Sequence, residues 1–282
     1  MDCSENSYRP VVIKKKGCAM FEAVVLAGGE GNDPLALQQG VHNKAFISLQ
    51  GRPLIGYILT ALARSYSLQK IVVVGPKEGL TALQAHGYSF KPVFTGNGSM
   101  LDNIARGLRE VDPKNLCLLS TGDIPLVSAA IIEAFLTLAA PGTADFYYPI
   151  IPVAHCRRRF PHTRRTSVRL KEGTFTGGNV ALIRPSWFIA NQNRLETFVA
   201  SRKHPLKLLR ILPFSFMIKF IFHCLSLKDL EEYLSRVLHL TARGVPCPHV
   251  ELATDVDKQS DLETVSRELA RLRGKAPGKT FC

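Results

Sequence analysis

Short apolar runs alternate with longer amphipathic stretches over the first half of the chain. The runs have the length of buried strands, and the amphipathic stretches repeat their apolar residues every three or four positions, as helices do. The predicted strands are Glu22–Ala27, Ile71–Val74 and Leu116–Ser120, and the predicted helices are Leu54–Ser65, Ser99–Val111 (with a capping-box pattern at Ser99 and Asp102) and Val127–Ala139. This order predicts an α/β fold of the three-layer, Rossmann-like class, with a mostly parallel sheet and helices on both faces.

The second half of the chain has a less regular pattern. Strands are predicted at Ala144–Ile151, Val180–Ile183 and Val250–Ala253, and helices at Trp187–Ala200, Ser226–Leu240 and Ser260–Arg273. The arginine-rich stretch His155–Arg169 predicts an exposed loop or ribbon. We therefore expect an irregular leader over residues 1–19, one domain over 20–273 and a tail over 274–282, with a subdomain over 151–245.

Positive charge is concentrated in one quarter of the chain. The 282 residues carry a formal net charge of +13, and residues 151–220 alone hold fourteen Lys or Arg against two acids. Such a patch predicts an anionic partner. No recognisable nucleic-acid motif accompanies the charge, so nucleic acid is not the expected partner. The seven cysteines are scattered without a C-x-x-C pair, which argues against a disulfide framework or a zinc site and favours a cytoplasmic protein.

An apolar and basic insert covers residues 205–225. Its apolar core is interrupted by Pro213 and Lys219, so it is too short for a membrane span, which needs about 20 apolar residues. Basic residues beside Phe, Ile and Leu fit an interfacial helix that makes peripheral contact with an anionic membrane. A buried helix pair, a hydrophobic lid and a homodimer contact fit the same pattern.

Four short motifs could carry chemistry. The glycine-rich residues 26–31 (L-A-G-G-E-G) either bring backbone N–H groups to a phosphate or base, or form a simple tight turn. Lys44 is either a phosphate ligand or a surface lysine. Asp123 follows a buried strand, where a carboxylate suits Mg²⁺ or caps the next helix. The segment D-V-D-x-x-x-D at residues 255–261 either adds a second carboxylate or caps the last helix.

The order of these motifs resembles that of the MobA-like NTP transferases, which include molybdenum cofactor guanylyltransferase and its cytidylyltransferase relatives. The shared elements are L-A-G-G-x-G, a lysine, x-L-x-G-x-P-L, G-D-x-P, T-G-G-N (Thr176–Asn179) and D-V-D-x-x-x-D-L (Asp255–Leu262). The resemblance covers residues 20–150 well, and 174–184 and 250–270 more thinly. It implies a GT-A-like fold and a Mg²⁺-dependent nucleotidyltransferase. Such an enzyme moves an NMP from GTP or CTP to a phosphorylated or other anionic acceptor and releases pyrophosphate.

The resemblance also implies roles for individual residues. Lys44 and Asp123 would be catalytic, and Asp123 and Asp257 would hold the metal. The nucleotide and acceptor contacts that it implies are Leu26, Ala27, Gly28, Gly29, Gly31, Asn103 and Asn179. Within that set Asn103 would contact the base, as part of the stretch Gly96–Gly107, and Asn179 would line the acceptor side, to which the 151–245 subdomain would also belong.

One position departs from the family pattern. Asp33 stands where the family usually has an arginine that holds the leaving pyrophosphate. A carboxylate there repels polyphosphate. Three explanations stay open: another cation substitutes, either Arg52 or one from the basic segment; the substrate differs; or the activity is reduced. A non-catalytic nucleotide sensor or membrane-associated scaffold, and a GT-A glycosyltransferase, are the alternative functions.

Overall fold

The computed structural model describes residues 20–28, 33–96, 98–139, 142–161, 163, 165–202 and 224–274. The predicted leader, Gly29 and Gly31 of the glycine-rich loop, residues 205–223 of the insert and residues 275–282 of the tail lie outside the described residues. Within the described ranges, no helix combines the length and the apolar character that crossing a bilayer requires.

Strands and helices alternate over the first half of the chain, as the hydrophobic pattern predicts. The strands are β1 (Phe21–Leu26), β2 (Ser48–Leu49), β3 (Arg52–Pro53), β4 (Leu68–Gly75), β5 (Lys91–Phe94), β6 (Cys117–Thr121), β7 (Phe146–Pro152), β8 (Val168–Leu170), β9 (Gly173–Gly177), β10 (Val180–Ile183) and β11 (Ala242–Pro246). The helices are α1 (Pro34–Gln38), α2 (Leu54–Ala63), α3 (Lys77–Ala85), α4 (Met100–Leu108), α5 (Ala129–Ala139), α6 (Val153–Arg159), α7 (Pro185–Ala190), α8 (Gln192–Arg202), α9 (Leu227–Leu238) and α10 (Gln259–Gly274). Two 3₁₀ helices cover Lys44–Phe46 and Val250–Ala253.

Nine strands form one mixed sheet in the order β5-β4-β1-β6-β10-β7-β9-β8, with β11 paired to the other edge of β7. The β5-β4-β1-β6 half is parallel, and β10, β9 and β8 add antiparallel pairs. Parallel pairing covers the larger share of the registered residues, because β11 is also parallel to β7. The predicted α/β class with a mostly parallel sheet is confirmed.

Helices cover both faces of the parallel half. Ala23 and Val25 of β1 belong to a buried cluster with α2 and α5, whereas Val24 between them packs with α4 on the opposite face. This alternation follows from the two-residue period of a strand. A separate cluster joins β2, the end of β7 and α10, so the C-terminal helix packs beside the first 3₁₀ helix.

Two capping boxes hold the ends of helices that border the cavities described below. The side chain of Ser99 accepts a hydrogen bond from the Asp102 N–H, and Asp102 accepts one from the Ser99 N–H, as the sequence predicts. Ser226 and Asp229 form the same reciprocal pair at the start of α9. Each pair satisfies two backbone donors that the first turn of a helix leaves without partners.

The strand predicted at Val250–Ala253 is wrong, because this segment is a 3₁₀ helix. The Leu252 N–H donates to the His249 carbonyl and the Thr254 N–H to the Glu251 carbonyl. These two N–H groups therefore bond to residues three positions earlier and not to a neighbouring strand. Pro248 just before it lacks the N–H that a sheet ladder needs. The last strand is instead β11, which the sequence analysis missed.

The loop or ribbon predicted for His155–Arg169 begins as a helix. Val153, Cys156 and Phe160 are buried and recur at a spacing of three and four residues, so α6 forms although most of its other positions are basic. The single helix predicted at Trp187–Ala200 divides into α7 and α8 at Asn191, whose side-chain amide donates to the Trp187 carbonyl.

Close contact between α4 and the sheet generates a stability prediction. A Cβ at Gly107 would come within 2.6 Å of Val24 Cγ1 and 2.7 Å of Val74 Cγ2. Valine side chains are restricted at χ1, so neither methyl group can easily move away. Alanine favours a helix by about 1 kcal/mol over glycine. We nevertheless expect Gly107→Ala to lower the free energy of unfolding by about 1–3 kcal/mol through overpacking. Urea denaturation measures it.

Gly274→Ala serves as the matched control, because a Cβ at this last residue of α10 would meet no atom within 4 Å. An unchanged urea midpoint for Gly107→Ala would show that α4 is not seated closely on the sheet.

Candidate functional site

The site lies at the carboxyl ends of β1 and β6. These strands are parallel neighbours, so the loops that follow them meet at one edge of the sheet, where open α/β sheets bind ligands. The Gly122 N–H donates to the Leu26 carbonyl at 3.0 Å and joins the two strand ends. A cleft of about 510 Å³ opens there. Its lining includes Leu26, Ala27, Gly28, Asp33, Lys44, Met100, Thr121, Asp123, Asn179 and Asp255.

Asn43 positions Lys44 at this cleft. Its side-chain oxygen caps the first 3₁₀ helix by accepting from the Ala45 N–H at 2.9 Å, and its amide nitrogen donates to the Ala27 carbonyl at 2.6 Å. The turn that carries Lys44 is thereby tied to the end of β1. The sequence analysis did not single out Asn43, although an asparagine directly before a short helix is a capping signal.

Three carboxylates meet around the Lys44 ammonium. One oxygen each of Asp123, Asp255 and Asp257 lies within 4.8 Å of the others. Lys44 Nζ is 2.7 Å from Asp123 Oδ2 and also pairs with Asp257 Oδ1. The three residues predicted to be catalytic or metal-binding, Lys44, Asp123 and Asp257, therefore lie together in the structure. Asp255 is a further member of the cluster.

Burial and mutual charge shift the titration of this cluster. Burial, the charge of Asp257 and the charge of Asp123 together raise the pKa of Asp255 to about 6. Burial also acts to raise the pKa of Asp257, but the hydrogen bond and charge of Lys44 outweigh it and hold that pKa below its usual value. Burial acts to lower the pKa of Lys44, but Asp123 and Asp257 raise it above its ordinary value, so the ammonium stays charged at neutral pH.

The cluster has the composition of a divalent-cation site. Carboxylate oxygens are the protein ligands that Mg²⁺ takes. Asp123 Oδ1 is buried and makes no hydrogen bond to the described residues, which leaves one ligand atom free. The ammonium that sits between Asp123 and Asp257 marks a place where the protein stabilises positive charge. Asp123, Asp255 and Asp257 therefore fit a bound Mg²⁺.

Asp261 separates the two roles that the sequence left open for residues 255–261. Its carboxylate accepts from the Asp257 and Lys258 N–H groups at 3.3 and 3.2 Å, beside the start of α10. Asp257 is thereby left to face Lys44. Asp123 likewise faces Lys44 and does not act as a helix cap.

Of the other residues in the implied set that the structure describes, Leu26, Ala27, Gly28 and Asn179 line the cleft and Asn103 lies next to it. Leu26, Ala27 and Gly28 form one wall. Asn103 lies behind Gly28, where a Cβ on the glycine would be 3.8 Å from the Asn103 amide nitrogen, and its Oδ1 is buried without a hydrogen-bond partner among the described residues. Asn179 lines the cleft opposite this wall.

Arg165 is a cation of the basic segment that reaches the cluster. Its Nη1 lies 3.6 Å from Asp255 Oδ1, its Nη2 donates to Thr254 Oγ1 at 3.1 Å, and 12% of its side chain is exposed. Arg52, named as a substitute for the missing family arginine, is held elsewhere. Its guanidinium donates to the Gly56 carbonyl at 2.8 Å and lies 4.8 Å from the Tyr57 ring centre, both on α2. The sequence marked the arginine-rich stretch but not which arginine turns inward.

A second cavity of about 590 Å³ adjoins the cleft. Asn179 and Asp255 line both spaces, and Asp257 lines the second. The carboxylate cluster therefore stands at the junction of two cavities, an arrangement that brings two bound molecules to one point.

Comparison with known proteins is consistent with this geometry. The family model described as MobA-like NTP transferase domain matches residues 23–210. A hypothetical transferase from Thermus thermophilus is 34% identical, with a TM-score of 0.75 over 86% of this chain and 99% of that one. Molybdopterin-guanine dinucleotide biosynthesis protein A from Archaeoglobus fulgidus shares the fold, with a TM-score of 0.50 at 15% identity over 89% of this chain and all (100%) of that one.

Curated relatives share a shorter region. The 2-C-methyl-D-erythritol 4-phosphate cytidylyltransferase of Clostridium acetobutylicum is 26% identical over 117 residues, which are 39% of this chain and 49% of that protein. The match thus spans about half the length of this relative.

The raised pKa of Asp255 gives a pH-dependent stability prediction. An acid whose folded pKa exceeds its unfolded value favours folding at low pH and loses that contribution as pH rises through the folded pKa. The loss for Asp255 falls between about pH 4 and pH 7. As the pH rises through this window, we expect the free energy of unfolding of Asp255→Asn to increase by about 1–3 kcal/mol relative to that of the parent. Melting curves in EDTA measure it.

Asp112→Asn, at an acid outside the cluster that accepts from the Lys114 N–H at 2.8 Å, is the control. A difference between Asp255→Asn and the parent that stays constant from pH 4 to 7 would contradict the prediction.

Proposed function

Because the chain belongs to the MobA-like NTP transferase family, we propose that it transfers an NMP from an NTP to a phosphorylated or otherwise anionic acceptor. The oxygen of the acceptor forms a bond to the α-phosphorus, the bond from that phosphorus to the bridging oxygen breaks, and pyrophosphate leaves. The carboxylate cluster with Lys44, placed where two cavities meet, is the observation that carries this proposal.

The protein's contribution to the reaction is to position and to neutralise charge. Mg²⁺ bound by Asp123 and Asp257, with Asp255 beside them, would neutralise charge on the α-phosphate. Lys44 is charged at neutral pH and flexible, so it can exchange a carboxylate partner for a phosphate oxygen. The turn held by Asn43 keeps its ammonium within reach of the cleft. Fixed charges of this kind stabilise a phosphoryl transfer without rearranging during the step.

The nucleotide is CTP or GTP in this proposal. The names of the relatives support both bases, since one is a cytidylyltransferase and another a guanine dinucleotide biosynthesis protein. Asn103 has a buried carbonyl oxygen with no partner in the described part of the chain, and it stands beside the glycine that approaches the cleft. A side-chain amide offers both a donor and an acceptor, which suits recognition of a base edge.

An anionic acceptor accords with the basic segment. The curated cytidylyltransferases are named for a phosphorylated acceptor. Arg165 brings a cation to the second cavity, next to Asp255. We also propose a cytoplasmic protein in which residues 205–225 make peripheral membrane or homodimer contacts.

A non-catalytic nucleotide sensor is the second candidate, and Asp33 favours it. Its carboxylate lines the cleft and caps α1 by accepting from the Ala36 N–H at 3.0 Å. It therefore places negative charge where the family usually supplies a positive one. A sensor binds NTP and releases no pyrophosphate.

Removing the buried metal-site carboxylate tests the enzyme directly. We expect Asp123→Ala to reduce pyrophosphate release by about 100-fold or more, because a preorganised charge at the reacting phosphate is lost. Pyrophosphate release from each of the four NTPs with Mg²⁺ measures the effect, with circular dichroism to confirm the fold. Glu78→Gln, at an exposed acid in the first turn of α3, is the matched control. Turnover that survives Asp123→Ala unchanged would rule out the proposed site.

Asp33 allows a finer test of the charge in the cleft. Asparagine caps helices about as well as aspartate. Asp33→Asn therefore removes the negative charge and keeps the capping contact with α1. We expect NTP to bind about two- to fivefold more tightly, since one repulsive charge near the phosphates is worth roughly 0.5–1 kcal/mol at a solvated site. Calorimetric titration of the NTP measures it, and equal or weaker binding would show that Asp33 does not face the phosphates.

A further inference from the structure

We infer that the acceptor is an amphiphilic anion, with one phosphate or carboxylate joined to an apolar body, and that it occupies the second cavity. This inference rests on the proposed function, because that function makes the second cavity the acceptor site. Its volume of about 590 Å³ falls within the range of small-molecule pockets.

The polar groups of the second cavity gather at its junction with the nucleotide cleft. Arg165 enters there through its contacts with Thr254 and Asp255. Arg165 Nε is buried with no hydrogen-bond partner in the described ranges, so its present contacts leave part of the guanidinium unsatisfied. A guanidinium presents a planar fork of donors that matches phosphate and carboxylate. This end of the cavity therefore fits the anionic group, next to the cluster where transfer would occur.

Apolar side chains form the floor and much of one wall in the rest of the cavity, which Glu231 and Arg243 also line. Phe146, Tyr148 and Ile150 are alternate residues of β7, so their side chains lie on one face and form the floor. Leu227, Leu230 and Leu234 recur every three or four residues along α9 and form the opposite wall. The spacing is that of one helix face.

The length of the floor sets the size of the apolar body. Ile150 pairs with Gly177 of the T-G-G-N motif, close to the carboxylates, whereas Phe146 pairs with Ala242 at the far end. Four strand steps of about 3.3 Å separate these two residues, which gives an apolar floor of about 13 Å. An anion with a chain or ring system of about six carbons fits within that length.

The charged residues along this wall neutralise each other. Arg243 Nη1 lies 3.1 Å from Glu231 Oε2, and Glu231 Oε1 accepts from the Gly244 N–H at 2.8 Å. They leave no uncompensated charge to recognise a second ionic group. A polyhydroxylated acceptor would place hydroxyl groups against Phe146, Ile150 and the leucines of α9, whose side chains offer no hydrogen-bond partner, and this is costly. The walls therefore favour an apolar body over a sugar.

Hexyl phosphate tests this inference, with glycerol 3-phosphate and hexanol as the comparison ligands. Calorimetric titration of the full chain, with Mg²⁺ and CTP or GTP present, measures each affinity. We expect hexyl phosphate to bind at least tenfold more tightly than glycerol 3-phosphate, because buried methylene groups add affinity. Hexanol should bind more weakly than hexyl phosphate, because it lacks the anionic group for Arg165.

Variants separate the two ends of the cavity. Leu230→Gln should weaken hexyl phosphate at least fivefold and leave glycerol 3-phosphate and NTP binding unchanged. Arg165→Gln should weaken the binding of both hexyl phosphate and glycerol 3-phosphate. Leu138→Gln is the matched control, at a leucine of α5 that is 48% exposed and outside the cavity lining. It should leave the affinities for hexyl phosphate and glycerol 3-phosphate unchanged. If Leu230→Gln lowers the melting temperature sharply, Leu234→Gln one turn later replaces it.

Three results would overturn the inference. Glycerol 3-phosphate that binds as tightly as hexyl phosphate would show a polar acceptor site. An affinity for hexyl phosphate that is unchanged in both Leu230→Gln and Leu234→Gln would place the ligand outside this cavity. A self-association in sedimentation that Leu230→Gln abolishes would show that the leucines form an interface between copies of the chain. In each case NTP binding and pyrophosphate release from the same samples report on the proposed function separately.

Discussion

Repulsion among three carboxylates is the constraint on which the site depends. Like charges 4–5 Å apart repel by roughly 3–4 kcal/mol at an effective dielectric constant of 20. Asp123, Asp255 and Asp257 stand this close only because Lys44 lies between two of them and Arg165 approaches the third. The end of β6 positions Asp123, and the Val256 N–H donates to the Asp123 carbonyl, which holds the segment of Asp255 and Asp257 beside it. The fold therefore stores a concentration of negative charge that a cation can stabilise.

The two halves of the sheet serve the two cavities. The parallel half supplies the glycine-rich turn, Lys44 and Asp123, all at carboxyl ends of strands or in the loops that follow. The antiparallel half, with α9 packed beside β11, forms a separate space with an apolar floor. Asn179 and Asp255 border both spaces.

The sequence was most informative where local pattern and tertiary contact agree. The capping boxes at Ser99 and Ser226 and the period of the buried strands could be predicted because each depends on residues close in the chain. The inward turn of Arg165 could not, since its partners Thr254 and Asp255 are distant in sequence and its neighbours are equally basic. The 3₁₀ helix at Val250–Ala253 could not be told from a strand, because its three apolar residues beside Glu251 fit a strand or a buried turn equally well.

The pairing of Lys44 with Asp257 has a consequence for how the site comes into being. These residues are 213 positions apart in the chain. Contacts of such separation require closure of a very long loop, and folding that depends on them is slow. The parallel half of the sheet can pack as soon as β6 and α5 have been synthesised. Asp255 and Asp257 follow only with the segment before α10. During synthesis, therefore, the half of the sheet that carries Lys44 and Asp123 can fold well before Asp255 and Asp257 are present beside it.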